Sequence, residues 1–114
     1  MENCIFCKIV KGEIPSTIVY EDDKVLAFKD INPVAPVHVL IIPKVHVRNV
    51  LELDGQNADI VADIHLAAKK IAEELGMAEN GFRLITNCGE GAGQTVFHLH
   101  YHLIGGVKLG PKII

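Results

Sequence analysis

No part of this chain concentrates positive charge. Its 11 Lys and Arg stand against 14 Asp and Glu, a formal net charge of -3. Without a basic stripe there is no electrostatic footprint for nucleic acid. Long hydrophobic runs are missing too. The longest, Val37 to Ile42, contains His38 and stops at Pro43, far short of the roughly 20 apolar residues of a membrane-spanning helix. The first residues, Met1-Glu2-Asn3-Cys4, are polar and lack the apolar core of a signal peptide. Cysteine is scarce and odd in number, at three, which fits a reducing cytoplasm better than a disulfide scaffold. Tryptophan is absent. There is no internal repeat and no low-complexity segment. At 114 residues the chain reads as a single domain, 1–114, large enough for one core.

The pattern of what is present is α+β. Ile5, Phe6, Ile9 and Val10 have helical spacing within Cys4 to Val10, and Lys11-Gly12 ends the run. Thr17 to Glu21 and Lys24 to Lys29 are β-rich and flank the acidic turn Asp22-Asp23, which predicts a hairpin. Asp30 to Pro36 holds two prolines and reads as an extended loop. Val37 to Ile42 reads as a central strand. Ile60, Ile64, Ala67, Ala68, Ile71 and Leu75 mark an amphipathic helix from about Asn57 to Leu75, with Gly76 as its stop. Phe82 to Asn87 and Val96 to Ile104 are the remaining strands, joined by the glycine-rich loop Cys88 to Thr95. Hairpin-linked strands with one long helix predict an antiparallel sheet with helical cover.

Chemistry concentrates in His98-Leu99-His100-Tyr101-His102-Leu103-Ile104. Side chains alternate between the two faces of a strand, so the three imidazoles are expected on one face, roughly 7 Å apart along the backbone. Leu99, Tyr101 and Leu103 then face a core. A lone histidine is more often structural than functional, but three in strict alternation reverse that weighting. Neutral imidazole can be nucleophile, proton carrier or metal ligand near pH 7.

Two further constellations flank this strand. The loop Asn87-Cys88-Gly89-Glu90-Gly91-Ala92-Gly93-Gln94-Thr95 has three alternating glycines whose backbone N–H groups are able to cradle a phosphate. It is neither a Walker loop nor a dinucleotide fingerprint, and its weight comes from delivering Gln94 and Thr95 to the first histidine. At the other end of the chain, Cys4-x-x-Cys7 has metal-knuckle or redox spacing. With only three residues before Cys4, a redox pair at a strand-to-helix junction is disfavoured. Tetrahedral zinc needs two more ligands. Cys88 reads as a loop residue and His65 as a helix-surface residue.

The run Gly93-Gln94-Thr95-Val96-Phe97-His98-Leu99-His100-Tyr101-His102-Leu103-Ile104 resembles the signature of the histidine triad (HIT) superfamily, and Gly105-Gly106 after it looks like the Hint branch of purine nucleoside phosphoramidases. The resemblance continues upstream through Ile14-Pro15, Tyr20-Glu21-Asp22, Ala27-Phe28, Asp30-Ile31, Ala35-Pro36, His38, Ile42-Pro43-Lys44 and His46. It implies a HIT-like α+β fold, a five-stranded antiparallel sheet with two helices, paired into a ten-stranded sheet in a homodimer. It implies that His100 attacks the α-phosphorus of an AMP-like purine ribonucleotide, forming a covalent nucleotidyl-histidine. His102 and His38 match residues that bind the nucleophile or the phosphate oxygens. Thr95 matches a hydroxyl at the phosphate or leaving group. Gln94, Gly93 and Asn87 match phosphate and ribose contacts, and Asp30 matches the carboxylate that accepts both ribose hydroxyls. Ile5, Phe6, Ile9, Phe28 and Ile31 match the apolar slot for the base; ordinary core is the competing reading for them. Some bacterial relatives complete a zinc site from positions matching His46 and His98, so the resemblance implies one structural Zn2+ held by Cys4, Cys7, His46 and His98. No organic cofactor is implied.

The resemblance has a limit at the tail. Val107 to Ile114 lacks the tryptophan of some eukaryotic Hint proteins, so leaving-group preference is not inherited from them. Two other classes stay open: a dinucleoside polyphosphate hydrolase using the same triad, and a non-catalytic nucleotide- or zinc-binding interaction protein. The expected partners are a purine nucleotide and a second copy of the chain.

Overall fold

In the computed structural model, which describes residues 3–114, one antiparallel sheet separates two unlike cores. Residues 1 and 2, the start of the polar N-terminal stretch, lie outside that range. The elements run α1 (Ile5–Val10), β1 (Ile18–Glu21), β2 (Val25–Lys29), β3 (Val37–Pro43), α2 (Asp59–Glu74), β4 (Arg83–Ile85) and β5 (Tyr101–Gly105), with short 3-10 turns at Val50–Glu52 and Glu90–Ala92. The five strands lie in the order β1-β2-β3-β5-β4, and every neighbouring pair is antiparallel. The two helices and five strands are those expected. The two 3-10 turns were not, since three-residue turns carry no periodicity.

One face of the sheet carries the aliphatic core. Val25, Ala27, Val39, Ile41 and Leu103 alternate onto it and meet Ile64, Ala67, Ala68 and Ile71 of α2. Ile64, Ile71 and Leu103 are fully buried, each worth roughly 1.5–3 kcal/mol of transfer energy. The helix ends as its sequence predicts. Gly76 takes φ 73°, the N–H of Met77 reaches back to Ala72 O at 2.8 Å, and that of Gly76 to Glu73 O at 3.2 Å. This is the paired closure of a left-handed C-terminal stop.

The other face carries a smaller core and the chemistry. Leu26, Phe28, Leu40 and Ile42 pack with Phe6 of α1. The register places Leu40 opposite His102 and His38 opposite Ile104, so His38 and His102 share this face. Gly105 and Gly106 close β5. A Cβ at Gly105 would sit 2.5 Å from Met77 Sδ, and Gly106 has φ +80° with Val37 and Pro36 against it. A larger residue at Gly105 would require the Met77 side chain to move, and one at Gly106 would be strained by its left-handed φ.

The last strand is shorter than expected. Val96 to Ile104 was predicted extended throughout, but β5 begins only at Tyr101. Its ladder with β3 runs Val37↔Gly105 to Ile41↔Tyr101. Continuing it would bring Pro43 opposite Leu99, and proline has no N–H for a ladder bond. Instead the N–H of Leu99 donates to Val47 O at 2.6 Å, and the chain bends through residues 96–98. β4 is likewise trimmed from Phe82–Asn87 to Arg83–Ile85.

Candidate functional site

The three alternating histidines fall into two sites. His98 is fully buried and points away from solvent toward α1 and the Pro43 turn. His100 and His102 stay together, with ring centroids 5.3 Å apart.

The first site gathers Cys4, Cys7, His46 and His98 from the two ends and the middle of the chain, and one ligand atom from each lies within 4.8 Å of all the others. Cys4 starts α1, where its Sγ accepts the N–H of Cys7 at 3.3 Å, so the Cys-x-x-Cys knuckle is also the helix cap. His98 Nδ1 lies 3.3 Å from Cys4 Sγ and 3.6 Å from Cys7 Sγ. His46 Nδ1 lies 3.4 Å from Cys7 Sγ and 3.2 Å from His98 Nδ1. Metal–nitrogen bonds of about 2.0 Å and metal–sulfur bonds of about 2.3 Å at tetrahedral angles separate ligand atoms by roughly 3.3–3.8 Å. The observed spacings match that frame. His98 Nε2–H donates to Pro43 O at 2.8 Å, which leaves the Nδ1 lone pair aimed at the cluster, the usual outer-shell device for a metal-bound histidine. Burial pushes the His98 imidazolium down to about 4, so the ring is neutral. Burial and then the Cys4 side chain push the Cys7 thiol up, and a bound cation would reverse that by holding the thiolate. The donor set fits a metal ion, with four protein ligands and none left open.

The second site lies on the β3–β5 face. His100 Nδ1 lies 2.7 Å from His98 O. A carbonyl only accepts, so the proton sits on Nδ1 and Nε2 keeps its lone pair. The ring is held edge-on to Phe6, with centroids 5.1 Å apart and planes at 88°. The Thr86 hydroxyl donates to His100 O at 2.8 Å, anchoring the backbone beside it. Burial lowers the pKa of His100 despite the opposing pull of its carbonyl partner and Asp30. Burial, followed by the charges of His100 and His38, lowers that of His102. Both rings are therefore neutral near pH 7. His38 Nε2 is 2.9 Å from His102 Nδ1 and 3.3 Å from Asp30 Oδ2. Asp30 Oδ1 accepts the N–H of Asn32 at 2.7 Å, which folds the loop after β2 around the site.

Other expected contributors occupy different places. Gln94 is buried and its side chain is spent on the loop. Its amide donates to Arg48 O at 2.8 Å and Val96 O at 3.1 Å, and its carbonyl accepts from Gly89 N at 2.8 Å. The N–H groups of Gly93 and Gln94 donate to Glu90 O and Gly89 O. These donors brace the loop. Thr95 is exposed beside them, and Asn87 is half-buried past the end of β4.

The five apolar residues differ widely in burial. Phe6 and Phe28 belong to the core of this face, their rings meeting edge-on at 5.5 Å. Ile9 packs against that core half-buried. Ile5 is 45% and Ile31 91% exposed, at the rim. His65 is exposed on α2 with its ring edge-on to Tyr101. Cys88 is half-buried in its loop and, like Cys4 and Cys7, is not in a disulfide. The roles of Gln94, Thr86 and the His98 carbonyl as braces were missed from sequence. Only the burial of a polar residue among glycines would have pointed to Gln94.

Comparisons with known proteins give the family. The HIT domain family model matches residues 11–109. The chain is 47% identical over 112 residues to the purine nucleoside phosphoramidase of Escherichia coli (strain K12), covering 98% of this chain and 94% of that one. It is 48% identical over 107 residues to the 14 kDa zinc-binding protein of Zea mays, covering 92% and 83%. The solved structure of a HIT family hydrolase from Clostridium thermocellum superposes with a TM-score of 0.98 at 69% identity, covering 100% of this chain and 99% of that one.

Proposed function

The chain belongs to the HIT domain family, and from that premise we propose that it is a purine nucleoside phosphoramidase acting through a covalent nucleotidyl-His100. The observation that carries the mechanism is the bond from His100 Nδ1 to His98 O. It leaves Nε2 as a neutral nucleophile in a ring clamped by Phe6. In the first step the Nε2 lone pair attacks the α-phosphorus of an adenosine 5′-phosphoramidate, a P–N bond to His100 forms, and the P–N bond to the amine breaks. The amine leaves with a proton taken from solvent, which the second step returns when the attacking water gives one up, and the Thr95 hydroxyl lies at the leaving-group side. In the second step water attacks phosphorus, giving AMP and restoring His100. Splitting one displacement into two lowers each barrier.

The remaining assignments follow from position. His102 stands beside the nucleophile and donates toward the phosphate oxygens, and His38 supports it through the contact between His38 Nε2 and His102 Nδ1. Asp30, half-buried at the loop mouth, has lone pairs beyond its Asn32 and His38 contacts with which to accept the ribose hydroxyls. Phe6, Phe28 and Ile9 form the apolar floor for the base, Ile31 its exposed lip, and Asn87 a polar contact at the ribose and phosphate. The metal is structural zinc, because two thiols with two imidazoles suit it and all four positions are filled by protein. A second copy of the chain is the partner. The sheet ends at β4, and a strand edge pairs readily with another strand. Three cysteines outside any disulfide support a cytoplasmic setting, and among the described residues no helix is long and apolar enough to cross a membrane.

Single-turnover mixing with a phosphoramidate, quenched in base and analysed by intact mass, tests this reading. An AMP adduct on His100 that forms and decays at the rate of turnover is the expected result. Turnover with no adduct, or adduct on another residue, overturns it.

A further inference from the structure

We infer that the backbone N–H of Val34 is a positioning group that sets the tautomer of His38 and, through it, of His102. That N–H donates to His38 Nδ1 at 3.1 Å. A ring nitrogen that accepts carries no hydrogen, so the proton of neutral His38 sits on Nε2. Nε2 faces His102 Nδ1 at 2.9 Å and Asp30 Oδ2 at 3.3 Å. It donates to both, and His102 Nδ1 must accept. His102 therefore carries its proton on Nε2, the nitrogen with no partner among the described residues, and presents a donor where a phosphate oxygen would lie. One amide thus orders three hydrogen-bonding groups in series.

The same chain of bonds decides what the Asp30, His38 and His102 cluster is. One ligand atom from each lies within 4.8 Å of the others, as in the four-residue site. Coordination through His38 Nε2 would move the ring proton to Nδ1, against the Val34 N–H. The cluster is a hydrogen-bond relay and not a cation site. The Val34 side chain takes no part, being 73% exposed. Only its amide matters, and Pro33 beside it has no N–H to offer in its place.

The test uses the full chain with its metal site loaded and 15N-labelled histidine. At neutral pH the imidazole nitrogen shifts of His38 and His102 should both show a protonated Nε2 and a bare Nδ1. A protonated His38 Nδ1 in the wild-type protein overturns the proposal without any variant. The amide is then removed by placing the α-hydroxy analogue of valine at position 34, which keeps the side chain and replaces N–H with oxygen. His102 should become a mixture of tautomers, and kcat on the adenosine phosphoramidate, resting here on the proposed activity, should fall roughly three- to tenfold, the scale of one neutral hydrogen bond, with KM within twofold. Val34→Ala should change neither. Wild-type tautomers in the ester variant overturn the proposal, as does an equal loss in Val34→Ala. Absence of phosphoramidate turnover in the wild type would instead sink the proposed function, and the nitrogen shifts would still decide the tautomer.

Discussion

Two clusters in this molecule bring potential metal-ligating atoms within 4.8 Å of one another, and they are built for opposite ends. In Cys4, Cys7, His46 and His98 the outer nitrogen of His98 is tied to Pro43 O, so a lone pair points inward among sulfur and nitrogen atoms. In Asp30, His38 and His102 the outer nitrogen of His38 is tied to the Val34 N–H, so a proton points inward. In both, the ligand atoms lie within 4.8 Å of one another. What differs is whether the backbone group on the ring's outer nitrogen is an acceptor or a donor, and that selects between holding a cation and holding hydrogen bonds. His98 and His100, two residues apart, fall on either side of this division: His98 Nε2 is tied to Pro43 O beside the thiols, while His100 is held by the His98 carbonyl and stands edge-on to Phe6 and His102.

The largest expected effect comes from cutting the catalytic side. His100→Ala should remove the nucleotidyl intermediate and lower kcat by more than ~10²–10⁴-fold, the range for acid–base help alone. Melting temperature should change little and AMP should still bind by calorimetry. Near-normal turnover in this variant would erase the distinction between the two histidines.

Cutting the metal side should do the reverse. Protein purified without added metal is expected to contain about one zinc per chain by elemental analysis, not two, because the relay cluster takes none. Cys4→Ser with Cys7→Ser should lose it. At free zinc a thousandfold above Kd the linked stabilisation is about 4 kcal/mol, so the variant's Tm should fall by on the order of 15 °C, with residual activity. Zinc-free wild-type protein of unchanged stability would return His98 to the phosphate site.

A smaller effect sharpens the role of Asp30 within the relay. A ribose lacking its 2′-hydroxyl should lose roughly 1–3 kcal/mol in kcat/KM, the cost of leaving a partly buried acceptor unpaired. Equal kinetics for the adenosine and 2′-deoxyadenosine phosphoramidates would reject ribose recognition by Asp30.

The smallest is a shift in pH dependence. Burial lowers the pKa of both His100 and His102 from the ordinary 6.5. Protonation of Nε2 abolishes the nucleophile, so kcat/KM should stay level as pH falls past 6.5 and decline only below it. Stability carries the same sign. Between 6.5 and the lower folded values the unfolded chain binds more protons, so the contribution present above that window is lost as pH falls through it. An inflection at or above 6.5 would mean that burial does not govern these rings.

Much of this was legible in the amino-acid order, because it rests on local repeats. The 3.6-residue spacing of Ile60, Ile64, Ala67 and Ile71 located α2 to within two residues, and Gly76 its end. The alternation of β2, β3 and the second half of β5 follows from strand geometry. Cys4-x-x-Cys7 carries metal-knuckle or redox spacing in the sequence itself, and the residues around His98 to His102 announced the family; that Cys4 also caps α1 emerged only in the fold. Tertiary structure alone decided how the histidines divide and where their protons lie. Pro43 ends a ladder opposite a residue 56 positions later, a fact invisible to the alternation it interrupts. The partners that set each tautomer are backbone groups: Pro43 O for His98, His98 O for His100 and Val34 N–H for His38. Every residue but proline carries the same amide donor and all carry the same carbonyl, so sequence cannot mark which one a folded chain will bring to a ring nitrogen.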